Sequence, residues 1–117
     1  MKWFGPVPLK ETRFQVGDET IIPRSPVEEV YALIESDLIF ASNTLSYTAP
    51  QTGRATKGSA EALLGKVYLY QDKFSEAAIA LENLIQNGPH DLVTDYNSIF
   101  ETQGENGIGS VFEVQYT

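Results

Sequence analysis

The sequence predicts a mainly α fold: one long helix, then a tightly packed antiparallel pair of the tetratricopeptide-like kind, with a short C-terminal β-strand. Three observations carry that expectation. Apolar residues recur at helical spacing over 25–46, two helical segments rich in small residues lie a few residues apart within 56–88, and apolar and polar residues alternate over 110–117.

The first 24 residues read as a looped or extended lead-in, because Pro6, Pro8 and Pro23 restrict helix there. At "RSPVEEV" the signals change. Ser25 suits an N-cap, Pro26 the first helical position, and Glu28 completes a capping box. Val27, Val30, Tyr31, Ile34, Leu38, Ala41 and Leu45 then follow one face. "SYTAPQTGR" is loop by its proline, glycine and hydroxyl content. A second helix is expected over 56–71, with Ala60, Leu63, Leu64, Val67 and Tyr68 as its apolar stripe. Asp72 suits the N-cap of a third, whose inner face carries Phe74, Ala77, Ala78, Leu81, Leu84 and Ile85. Gly88 fits the left-handed position after that helix, and Pro89 prevents its continuation. The short link makes the last two helices antiparallel neighbours.

Beyond Pro89, "DYNSIF" reads as one or two helical turns capped by Thr94, and "ETQGENGIGS" as a polar glycine-rich loop. In "SVFEVQYT", Phe112, Val114 and Tyr116 share one face of the expected strand. A strand must pair its backbone groups, so this one needs a partner.

Gly65 lies inside the second helix, where glycine costs about 1 kcal/mol relative to alanine. A closely approaching helix would offset that loss. The tetratricopeptide pattern W-x2-L-G-x2-Y…A-x3-F…P supplies such a helix. Leu64, Gly65, Tyr68, Ala77 and Pro89 fall on its positions when the repeat starts at Gly58. Glu61 stands where the tryptophan would be and Leu81 replaces the phenylalanine, so the first aromatic contact of the repeat is expected to be missing. Gly65 and Ala77 let the backbones approach, with Tyr68 and Phe74 filling the flanks.

Composition narrows the function classes. The chain's 117 residues suit one domain's worth of core, and a net charge of -8 disfavours nucleic acid and anionic membrane surfaces. There is no cysteine for a disulfide, thiol nucleophile or thiolate metal site. His90 is the sole histidine and has no metal-ligand spacing around it, so a solvated loop residue is the favoured reading. Glu28 and Glu29 are adjacent on a helix and point apart, which suits a first-turn dipole role rather than a carboxylate pair. "ETQGENG" lacks the order of a calcium loop. No catalytic, metal or cofactor site is read, and the chain is not expected to be an enzyme. Trp3 is the candidate ligand-binding residue, since sugars stack on flat aromatic faces, although packing against the helices is the favoured role. Tyr70 is a candidate surface contact on the same weighing.

The segments "WFGPVPL", "RSPVEEVYALIESDL", "GRATKGSAEALLGKVYLYQDKFSEAAIALENLIQNG" and "SVFEVQY" occur in this order. In this they resemble the central part of the SusD/RagB family of surface glycan-binding lipoproteins. The resemblance covers nearly the whole chain and is most specific over 53–71. It implies tetratricopeptide-like helix pairs, oligosaccharide or nutrient binding at the outer membrane, and a SusC-like TonB-dependent transporter as partner. Family members are several times longer, with a signal peptide and lipid-accepting cysteine that do not occur here. The chain is therefore expected to be an internal or truncated piece forming one partial domain, 1–117, whose role is scaffold. A piece of this kind is expected to expose an apolar patch and to self-associate. The alternative is a small tetratricopeptide adaptor for a protein partner, against which a single complete repeat argues.

Overall fold

A computed structural model of the chain describes residues 5–18 and 21–116. Three helices carry the regular structure: α1 (Val27–Thr44), α2 (Lys57–Leu69) and α3 (Phe74–Asn87). Two 3-10 turns follow, Tyr96–Phe100 and Thr102–Gly104. The chain divides within α1 into two compact units, Met1–Ser36 and Asp37–Thr117.

In the first unit the segment before α1 is irregular, as its prolines dictate. Its local order comes from polar contacts. Asp18 accepts hydrogen bonds from the Lys10 ammonium at 2.9 Å and the Gln15 N–H at 3.0 Å, and these hold its carboxyl below the usual range. The helix start differs from the expected capping box. Ser25 donates its backbone N–H to the Val7 carbonyl at 3.0 Å, so that N–H is not available to Glu28, and helical residues begin at Val27. Pro26 precedes the helix and its carbonyl accepts from the Val30 N–H at 3.3 Å. Val30 is the buried residue of α1.

In the second unit α2 and α3 pack against one another. The α2 start is strongly specified. Thr56 and Ser59 form a reciprocal capping box, with Thr56 Oγ1 accepting from the Ser59 N–H at 3.2 Å and Ser59 Oγ from the Thr56 N–H at 2.8 Å. Asp72 is not the cap of α3. It takes a left-handed φ of 58° in the tight link, a conformation that Asp tolerates, and Lys73 occupies the N-cap position.

The inner face of α3 is narrower than its apolar residues suggest. Ala77 and Leu84 are buried and Leu81 is half-buried, while Phe74, Ala78 and Ile85 face out. Leu81 and Leu84 lie against Gly65 and Gly58 of α2, whereas Phe74 is exposed and does not fill a flank of the pair. Leu63 of the expected α2 stripe is also half exposed. Gly88 is extended rather than left-handed, and glycine is required there for space: an added Cβ would lie 2.5 Å from the Leu84 carbonyl oxygen. Asp95, not Thr94, caps the first 3-10 turn, its Oδ1 accepting from the Asn97 N–H at 3.0 Å.

The expected C-terminal strand is absent; no β-strand occurs among the described residues. The alternation over 111–116 is compatible with a strand, but no described segment lies beside it to pair its backbone. Its side chains are held instead by loops: Gln115 exchanges two amide hydrogen bonds with Asn106, at 3.2 and 3.0 Å, and packs over Gly53.

Candidate functional site

Four of the five repeat residues lie at the α2–α3 seam or on its flank. Leu64 and Ala77 are among the most buried side chains, Gly65 is buried and Tyr68 is half-buried. Pro89 stands exposed just beyond α3. Gly65 faces Leu81: a Cβ built on it would meet Leu81 Cδ2 and Cγ, each at 2.6 Å. Trp3 lies outside the described residues. Tyr70 is half exposed at the end of α2.

Sequence reasoning missed a buried polar cluster centred on Glu61. Only 4% of Glu61 is exposed, and its carboxylate gathers donors from three directions. The Tyr47 hydroxyl donates at 2.8 Å, Asn83 Nδ2 donates from α3, and the Lys57 ammonium lies 3.8 Å away one helical turn earlier. A buried carboxylate without such partners would carry a large desolvation penalty. Tyr47 thus reaches Glu61 from the loop before α2, and the Lys57 ammonium sits 5.2 Å from its ring centroid. Burial, and then the hydrogen bond to the Glu61 carboxylate and its charge, push the Tyr47 phenol up to about 12. The available signal was a glutamate in a position that the repeat reserves for a large apolar residue.

This anchor positions the loop that bounds a small groove of about 260 Å³, lined by polar and apolar surface in similar measure. One side is the loop with Tyr47, Gln51, Thr52 and Arg54; the other is the segment with Asn106, Ser110, Phe112 and Glu113. His90 also lines it, with Nε2 buried near Gly58 and Leu84 and without a hydrogen-bond partner. Both sides are internally braced. Arg54 Nε donates to Gln51 Oε1 at 2.9 Å, and Asn106 donates its backbone N–H to both Glu113 oxygens, at 3.1 and 3.0 Å. Ser110 and then Asn106 hold the Glu113 carboxyl below the usual carboxylate range. A second groove of about 930 Å³ is apolar and includes Leu38, Ala41, Leu45, Leu63 and Val111. Among the described residues, no group of histidine, cysteine and carboxylate side chains is arranged to hold a metal ion.

No family model matches the chain. It is 28% identical to a SusD-like protein of Bacteroides ovatus over 99% of its own length and 23% of that relative. A crystal structure of a SusD-like protein from Bacteroides fragilis superposes with a TM-score of 0.87 at 32% identity, covering 97% of this chain and 23% of that one. A laminarin-binding SusD-like protein gives 0.84 at 30% identity, covering 92% and 25%. The chain spans about a quarter of the length of the relatives it matches.

Proposed function

We propose that this chain, a homologue of the SusD-like proteins, supplies helical scaffold to a non-catalytic nutrient-binding protein of a SusC/SusD-like uptake system. In this reading the whole protein binds oligosaccharide at the cell surface, anchored as a lipoprotein in the outer membrane above a SusC-like TonB-dependent transporter. The observation that carries the reading is the likeness along nearly the whole chain to a protein described as laminarin-binding. The braced groove is consistent with it, since its amide and hydroxyl groups can hydrogen-bond a polyol. A peptide-binding adaptor would need a groove built from several stacked repeats, and the described residues form one such helix pair.

The test is association. The chain, expressed at the surface of a SusC-bearing host, is expected to co-purify with the transporter from outer membranes. It is also expected to be retarded in native gels cast with laminarin. Free migration in laminarin together with no transporter in the purified fraction would overturn the reading.

A further inference from the structure

We propose that the small groove between the Tyr47–Thr56 loop and the 106–113 segment is a subsite for one neutral sugar ring. The choice of a sugar among neutral polyols rests on the function proposed above; the neutrality and the size rest on the groove itself. Its volume of about 260 Å³ falls below that of sites for drug-sized ligands and suits a single ring. Tyr47 and Phe112 contribute aromatic rings to the lining. An aromatic face offers an apolar, electron-rich surface against which the C–H face of a pyranose can lie. Gln51, Thr52, Asn106 and Ser110 add amide and hydroxyl groups that both donate and accept, as ring hydroxyls do.

The lining carries no excess charge to favour an ion, because its Glu113 carboxylate and its Arg54 guanidinium offset one another. The chain's net charge of -8 disfavours an anion further. A neutral ligand meets both groups as hydrogen-bond partners.

The lining is held before any ligand arrives. Tyr47 is tied through its hydroxyl to buried Glu61. Gly53 takes a φ of 83° and approaches Gln115 so closely that a Cβ would meet Gln115 Cγ at 2.6 Å. Gln115 in turn pairs with Asn106. These links span the two sides, so binding need not order either loop, which lowers the entropic cost of a small ligand.

His90 makes the site observable, because it is the chain's only histidine and lines the groove. The experiment is a titration of the ¹⁵N-labelled chain with glucose and with laminarin oligosaccharides, following the imidazole nitrogens by NMR. Saturable movement of the His90 signals is expected. Phe112→Ala should weaken binding about fivefold, the loss of one stacking face. Phe112 is 52% exposed, and circular dichroism should show its variant folded. If that variant is unfolded, Gln51→Ala on the exposed rim decides the matter, with an expected loss of about threefold. Stationary His90 signals in a chain still retarded by laminarin would overturn the subsite and leave the broader sugar-binding reading standing. Signals that move equally with inorganic phosphate and are unchanged in the folded variant would also overturn it.

Discussion

Replacing Gly65 by leucine probes the contact on which the helix pair depends. A Cβ at Gly65 falls 2.6 Å from Leu81 Cγ and Cδ2 and 3.3 Å from Cδ1. Carbon atoms are most favourable at about 3.5–4.0 Å, so the overlap approaches 1 Å at two atoms. Leu81 must swing outward, or the helices must separate. Alanine at 65 recovers about 1 kcal/mol of helix propensity against an overpacking cost of about 1–3 kcal/mol, a net loss of about 0–2 kcal/mol. Leucine adds further atoms to the same space, and its expected net loss is about 2–3 kcal/mol. At about 4 °C per kcal/mol for a chain of this size, Gly65→Leu should lower Tm by about 8–12 °C, read by far-UV circular dichroism. Leu81→Ala in that background should recover at least about 1 kcal/mol relative to additivity, because it vacates the contested space. A Gly65→Leu variant melting with the parent, or strict additivity with Leu81→Ala, would refute the close-contact argument.

Three further outcomes follow from the polar contacts. Thr56→Ala removes the reciprocal cap of α2 and should cost about 1 kcal/mol in urea unfolding, with Thr56→Ser close to neutral. Glu61→Ala strips the acceptor from Tyr47 and Asn83 inside the unit and should cost about 3 kcal/mol by the same measurement; an effect below about 1 kcal/mol would mean that the cluster is not coupled to folding. For Tyr47, the folded-state value of about 12 stands above the ordinary 10.0, so the fold favours the neutral phenol. That contribution is fully present below pH 10 and is lost as pH rises toward 12. Stability of the parent should therefore fall across that window, and Tyr47→Phe should show a smaller fall in pH-dependent melting.

What the sequence disclosed divides by the range of the interaction. Local signals placed the helices to within a few residues: the short link after α2 and the proline beyond Asn87 each act within a turn or two. The repeat spacing placed Gly65 opposite a helix without giving its partner, and Leu81 emerged as the side chain it meets. Where a residue's role depends on distant chain, local reading failed. Residues 111–116 have a strand's alternation, yet alternation fixes only which faces differ; the second strand that would make it a sheet is not among the described residues. Glu61 shows the reverse case. Read alone it is a lost aromatic contact, but Tyr47, fourteen positions earlier, and Asn83, twenty-two later, convert it into a buried acceptor. The same bond that satisfies Glu61 also ties down the loop bordering the small groove. Scaffold and groove are therefore coupled through one carboxylate, and Glu61→Ala should weaken any ligand held against Tyr47 as well as the fold. Tyr47→Phe separates the two effects: it keeps the ring in the groove while releasing it from Glu61. A loss of sugar binding in a still-folded Tyr47→Phe chain would show that the anchor, rather than the ring alone, shapes the site.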